Sequence, residues 1–209
     1  MDPEQRVFVV DDDPSVLRAI ERLLRAHGFT VETFSSPRVF LERIPYEGIA
    51  CLLLDMRMPE LSGFDVLGAI ATRSPDLPTV FLSGTSDVHT AATAMRQGAV
   101  DFLGKPVDER ELIDAVSRGF AKATENARRR EEEAEYTRRF SRLTRREREV
   151  CTLVARGLLN KQIAHQLGTS EKTVKVHRAR MMQKLGVDSV AALVWLLSRS
   201  PKSSGEPPG

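Results

Sequence analysis

Acidic side chains stand where apolar runs end. Val7-Phe-Val-Val10 runs into Asp11, Asp12 and Asp13, and Cys51-Leu-Leu-Leu54 runs into Asp55 before the chain turns at Met58-Pro59. Ser83 follows the run at residues 78–82, and Lys105 comes just after the run at 100–103. Two unit charges about 4 Å apart repel by roughly 4 kcal/mol at an effective dielectric near 20. Carboxylates gathered in one place therefore need a cation or shifted pKa values. A divalent metal with oxygen ligands meets that need, and Mg²⁺ uses few protein carboxylates, keeps waters and favours phosphate oxygens. Asp13 has a simpler role, because Asp followed by Pro14 is a helix N-cap with proline at the first helical position. Asp11 and Asp12 are the better metal ligands, since a strand end aims them at a crevice.

These residues share a crevice only if the runs are strands of one sheet. Runs at 7–10, 30–34, 50–54, 78–82 and 100–103 alternate with stretches of helical period, such as Val16, Ile20, Leu23 and Leu24, closed by Gly28. Five strands alternating with helices predict an α/β doubly wound five-stranded parallel sheet, apolar on both faces because helices cover both. In such sheets ligands bind outside the carboxyl ends of the strands. Acid, hydroxyl and ammonium meet at that edge.

The chain has 209 residues, 41% of them apolar, enough for two domains. No uncharged apolar window of about 18 residues occurs, and the first residues lack the basic flank and cleavage site of a secretory signal. A cytoplasmic protein with no membrane partner is expected. Cys51 and Cys151 read as core filler, and the four histidines show no metal-ligand spacing with them. The net charge of +2 conceals a split: residues 1–120 hold 12 Lys and Arg against 19 Asp and Glu, and residues 121–209 hold 19 against 10. An acidic module joined to a basic one points to a polyanionic partner for the second.

The segments VVDDDPSVL, LLLDMRMPELSG, FLSG and DFLGKP resemble the receiver domain of bacterial two-component response regulators, a flavodoxin-like fold, over residues 5–122. The resemblance implies that Asp55 accepts a phosphoryl group from a phosphohistidine of a sensor histidine kinase. Mg²⁺ would be held by Asp12, Asp55 and the backbone carbonyl of Arg57, with Asp11 acting largely through water. Lys105 and the Ser83 hydroxyl would each engage a phosphate oxygen. Ser83 and Phe102 would form the switch: as Ser83 moves toward the phosphate, the Phe102 ring rotates into the vacated space and alters the face made by the fourth helix and fifth strand. Many receivers carry Thr and Tyr at these two positions. Catalysis would be limited to the chain's own phosphoryl transfer and slow dephosphorylation, so no separate enzyme activity is expected. A rival is a magnesium-dependent phosphatase of the haloacid dehalogenase type, which also uses a strand-end aspartate but typically places a second Asp two residues later; here that position is Arg57.

Residues 123–140 are a charged stretch without Pro or Gly, read as a helical linker. Beyond it, Thr144-Arg-Arg-Glu147 is a capping box before Val150, Leu153 and Val154. A helix over 160–167, a turn at Gly168-Thr-Ser170 and a helix over 171–185 make a helix-turn-helix, and an apolar helix over 189–197 surrounds Trp195. On a helical wheel, Val174, His177, Met181 and Leu185 form a core stripe, while Lys172, Lys175, Val176, Ala179, Arg180 and Gln183 face outward. No acid is among these six, and a major groove accepts such a face.

The run LTRREREVCTLVARGLLNKQIAHQLGTSEKTVKVHRARMMQKLGV resembles the LuxR-type DNA-binding domain, and the whole chain is similar to NarL/FixJ-type response regulators, nearest the FixJ and StyR subgroup. The implied organisation is a receiver at 1–122, a linker at 123–140, an all-α four-helix domain at 141–199 and a disordered tail at 200–209. The implied function is a phosphorylation-dependent transcription regulator, an activator, that dimerises on phosphorylation, binds double-stranded DNA and acts on RNA polymerase. Lys175 and Val176 would read bases, with Lys172, Thr173, Arg178, Arg180 and Lys184 on phosphates and Ala179 at a position where some relatives carry a longer basic side chain. A phosphorylation-independent regulator, whose receiver only dimerises, is the alternative.

Overall fold

The computed structural model describes residues 5–84 and 88–199, and the chain divides into two compact units, Met1–Arg128 and Arg129–Gly209. The tail expected at 200–209 lies outside the described residues.

In the first unit the elements alternate: β1 (Gln5–Val10), α1 (Pro14–Ala26), β2 (Thr30–Phe34), α2 (Pro37–Arg43), β3 (Ile49–Asp55), α3 (Gly63–Arg73), β4 (Thr79–Ser83), α4 (Val88–Arg96), β5 (Asp101–Gly104) and the start of α5 (Glu109–Ser141). All strand pairs are parallel, in the order β2-β1-β3-β4-β5. Side chains alternate across a strand, so each strand feeds two separate cores. Val7, Val9, Cys51, Leu53, Val80 and Leu82 pack with α1 and α5, while Phe8, Val10, Leu52, Leu54 and Phe81 pack with α2, α3 and α4. Every residue of β3 is buried, which explains why that run is apolar without alternation. Each fully buried Val, Leu or Phe contributes about 1.5–3 kcal/mol.

The caps behave as the sequence predicts. Asp13 Oδ1 accepts from the Ser15 amide at 2.7 Å, with Pro14 at the head of α1, and Gly28 takes φ +84° after its end. The receiver-like unit runs further than the expected boundary at 122. Ala123 is buried in its core, Ala127 packs on it, and the buried Asn126 donates to the Asp76 carbonyl at 3.1 Å.

The second unit holds the end of α5 followed by α6 (Arg145–Ala155), α7 (Asn160–Gln166), α8 (Glu171–Leu185) and α9 (Val190–Ser198). The last turns of α5 are part of it: Phe140 packs on its core, and Arg139 donates to the Leu185 carbonyl at 3.2 Å. Val150, Leu153 and Val154 of α6, Ile163 of α7, Val174, Met181 and Leu185 of α8 and Leu193 of α9 form one core. The capping box at Thr144 and Glu147 is present, and Gly186 ends α8 with φ +68°. Among the described residues no helix is long and apolar enough to cross a membrane.

Candidate functional site

The crevice at the carboxyl ends of the strands is assembled by register. Val10 lies opposite Leu54, so Asp11 and Asp55 leave adjacent strands side by side, and Leu82 lies opposite Asp55, which sets Ser83 beside it. The Lys105 amide donates to the Ser83 carbonyl at 2.7 Å and carries the lysine from β5 to the same edge. Asp11 is fully buried and Asp55 is 5% exposed, whereas Asp12 is exposed. A ligand oxygen from each of the three carboxylates lies within 4.8 Å of the others.

The charge concentration expected from the sequence is met by Lys105. Its Nζ stands 2.6 Å from Asp11 Oδ2 and 2.6 Å from Asp55 Oδ1. Burial opposes charge on Lys105, but the two carboxylate hydrogen bonds outweigh it and hold the ammonium above its ordinary pKa. Asp11 is raised above the usual carboxylate range, chiefly by burial, against the Lys105 and Asp13 hydrogen bonds that lower it. Backbone amides serve the remaining oxygens, with Asp13 N donating to Asp11 and Arg57 N to Asp55 Oδ2, each at 3.0 Å. A side chain at Gly63 would put its Cβ 2.8 Å from the Asp55 carbonyl oxygen and 2.9 Å from the Phe81 ring. Glycine there lets α3 start directly beneath the aspartate. Ser83 is buried at the end of β4, and Phe102, half-buried, packs on the core shared with Phe81. Oxygen donors alone, two of them buried, suit a hard divalent cation.

In the second unit α8 presents the expected outward face: Lys172, Lys175, Val176, Ala179, Arg180 and Gln183 are all exposed. Thr173 is half-buried, its amide capped by Ser170 Oγ at 3.1 Å. Four features were not anticipated. His177 is only half-buried, which leaves Val174, Met181 and Leu185 as the buried stripe. Lys184, expected on phosphate, points into the bundle with its Nζ 2.6 Å from Glu147 Oε2. Burial works against charge on Glu147, yet the hydrogen bonds from Lys184 and Thr144 prevail and hold its carboxyl below the usual range. Arg178 is tied to Asn160 Oδ1 at 3.1 Å, across the two helices of the motif. Beside the outward face stands an acid: Glu171 Oε1 lies 3.6 Å from Lys175 Nζ. The four-residue spacing from Glu171 to Lys175 was a sequence signal for that pair; the Lys184 and Arg178 contacts are tertiary and left none.

Residues 7–117 match the family of response regulator receiver domains, and residues 141–197 match the luxR family of bacterial regulatory proteins. The response regulator protein TodT of Pseudomonas putida is 40% identical over 193 residues, 92% of this chain and 85% of that protein. The transcriptional regulatory protein FixJ of Azorhizobium caulinodans is 36% identical over 189 residues, 90% of this chain and 89% of that one. Among solved structures, the response regulator StyR superposes with a TM-score of 0.85 at 45% identity, covering 94% of this chain and 99% of that one.

Proposed function

The chain belongs to the response regulators that join a receiver domain to a LuxR-type DNA-binding domain, and from that footing we propose that Asp55 accepts a phosphoryl group from a phosphohistidine of a sensor histidine kinase. The observation that carries this reading is the buried Asp55 carboxylate at the end of β3, with the Lys105 ammonium 2.6 Å away and two further aspartates beside it. Asp12, Asp55 and the Arg57 backbone carbonyl would hold magnesium, with Asp11 acting mainly through water. When bound, the ion supplies neutralisation of charge on the transferring oxygens. An Asp55 carboxylate oxygen forms a bond to phosphorus as the phosphorus–nitrogen bond of the donor breaks, and the electron pair stays on the imidazole nitrogen. Lys105, already within reach, follows the negative charge onto a phosphoryl oxygen, and the Ser83 hydroxyl donates to another. Positioning and charge neutralisation are what this chemistry requires.

Ser83 moving toward the phosphoryl group frees space for the Phe102 ring, and the altered α4 and β5 face favours a homodimer. Shifting a two-state equilibrium from 1:99 to 99:1 takes roughly 5.5 kcal/mol, the scale of two or three charge-assisted contacts. Two DNA contacts on one dimer then gain from effective concentration at paired half-sites. Lys175 and Val176 read bases, Lys172, Thr173, Arg178 and Arg180 engage phosphates, and the DNA-bound dimer acts in the cytoplasm as an activator of RNA polymerase. Lys184 belongs with the phosphate contacts by resemblance, and its 2.6 Å pairing with Glu147 competes with that role.

The test is incubation of the full chain with acetyl phosphate and magnesium, followed by intact mass measurement and binding to selected DNA. Wild type gains one hydroxylamine-labile phosphoryl group and binds the DNA more tightly; Asp55→Asn does neither. A phosphoryl group retained by Asp55→Asn would overturn the assignment of the acceptor. DNA binding and transcription unchanged by Asp55→Asn would favour regulation without phosphorylation.

A further inference from the structure

The recognition helix carries one acid on its DNA-facing flank, and its partner is one of the two residues assigned to read bases. Glu171 is the first residue of α8, directly after the Ser170 cap, and its carboxylate lies 3.6 Å from the Lys175 ammonium one turn later. Both side chains are open to solvent, at 49% and 65% exposure. The other outward cations are differently placed. Lys172 and Arg180 form no side-chain hydrogen bond or ion pair among the described residues, and Arg178 is held by the neutral amide oxygen of Asn160. Lys184 also has a carboxylate partner, but inside the bundle. Lys175 is therefore the outward cation of α8 that meets DNA with its charge already answered.

We infer that Glu171 is a specificity determinant that suppresses binding to non-cognate DNA by competing with phosphates for Lys175. The inference rests on the assignment of α8 to the major groove. Non-specific affinity comes from cations that displace counterions from the duplex. A lysine paired with its own carboxylate contributes little to that term, and the carboxylate at the leading end of the helix adds repulsion against the phosphates. The N-terminal residues of a recognition helix are the ones that approach the bases, so this acid sits where it acts most strongly. At a cognate site a base-edge acceptor offers Lys175 a better-aligned partner than Glu171 does, and the pair opens. Discrimination is raised by weakening the background more than the target, which is how a repulsive element confers specificity. Glu171 is a positioning residue for Lys175 in this scheme, without a base contact of its own.

The experiment measures binding of the full chain to two fluorescein-labelled duplexes across a salt series: the best sequence recovered by selection with wild type, and a scrambled version of it. Glu171→Gln is expected to tighten the scrambled duplex about fivefold to tenfold and to steepen the log–log salt slope by about 0.9, the contribution of one added phosphate contact. The selected duplex gains less than about threefold, so the specificity ratio falls. Glu171→Asp keeps the wild-type ratio, and adding Lys175→Met to Glu171→Gln removes the added salt slope and most of the gain. A helix that merely lost a favourable first-turn charge would shift both duplexes alike and leave the ratio intact. Equal gains on both duplexes, or no gain on the scrambled one, overturn the inference while leaving DNA reading by α8 in place. A wild type that binds both duplexes equally overturns that reading, and this inference with it.

Discussion

Replacing Lys184 by Met tests whether that lysine holds the second unit together or touches DNA. The ammonium lies 2.6 Å from Glu147 Oε2, and the Glu147 side chain is 3% exposed while that of Lys184 is 34% exposed. Removing one member of a fully buried ion pair costs about 3–5 kcal/mol because the other charge is left without compensation. Two features reduce that figure here. A third of the lysine side chain already meets solvent, where water can replace part of the interaction, and Glu147 keeps the Thr144 amide at 2.8 Å. Methionine also retains most of the aliphatic stem. The expected loss is about 2 kcal/mol, roughly a thirtyfold drop in the folding equilibrium constant. Trp195, the single tryptophan of the chain, lies in the second unit, exposed but with the Arg199 guanidinium 4.8 Å from its ring centre, and the loss of that contact during urea unfolding gives a fluorescence signal from this unit alone. Glu147→Met should cost a similar amount, and the double variant less than the sum, because an apolar pair can substitute for a buried ionic one. The salt slope of DNA binding should stay unchanged in Lys184→Met. A stability loss below about 0.5 kcal/mol, the range of ordinary surface substitutions, together with a slope shallower by about 0.9, would refute the reasoning and return Lys184 to the phosphate backbone.

Glu147 also sets a pH dependence. Its folded pKa lies below the ordinary 4.5, so its contribution to stability is complete above 4.5 and is lost as pH falls through the lower folded value; Trp195-monitored unfolding should show this loss, and Glu147→Gln should flatten it. Gly63→Ala forces a methyl group against the Asp55 carbonyl and the Phe81 ring, and should destabilise the first unit by about 1–3 kcal/mol while slowing phosphoryl uptake; wild-type thermal unfolding and mass increment would sink this expectation. Burial pushes the Cys51 thiol up to about 12 and Cys151 up to about 11, so a maleimide at pH 8 should label neither until denaturant is added. A fragment beginning at residue 141 lacks the α5 turns that supply Phe140 and the Arg139 bond to Leu185, and should unfold at lower urea than one beginning at 129, by about 2 kcal/mol.

Contacts made within one turn of helix or at one strand end could be anticipated from residue order, and those made between elements could not. Asp13 before Pro14, Thr144 three residues ahead of Glu147, and carboxylates at the ends of apolar runs are local patterns, and all three have the expected structures. The convergence of Asp11, Asp55 and Lys105 needed one further step. In a parallel sheet every carboxyl end lies on the same edge, so alternating runs suffice to gather the residues without knowledge of side-chain contacts. That step does not say which cation neutralises the acids in the protein alone. Lys105 is 94 residues from Asp11 and 50 from Asp55, and its position between them depends on β5 pairing with β4 in one particular register.

The same division explains why the Lys184–Glu147 pair was not legible: Lys184 was expected on phosphate from the LuxR resemblance, and it was not among the outward residues of the wheel. A helical wheel ranks residues by angle around one helix, and a family motif carries a role over by position in the sequence. Neither contains information about a buried acid on a neighbouring helix. Glu147 was recognisable as half of a capping box, a local role that accounted for it completely, so nothing in the sequence demanded a second partner. The structure shows its carboxylate accepting from both the Thr144 amide and Lys184. A charge on the border of an amphipathic stripe, facing a helix whose cap supplies a buried carboxylate, belongs to the bundle before it belongs to a ligand. By that criterion Lys172 and Arg180, with no carboxylate partner among the described residues, are the cations of α8 left free for the proposed DNA contact, whereas Lys175 already lies 3.6 Å from Glu171.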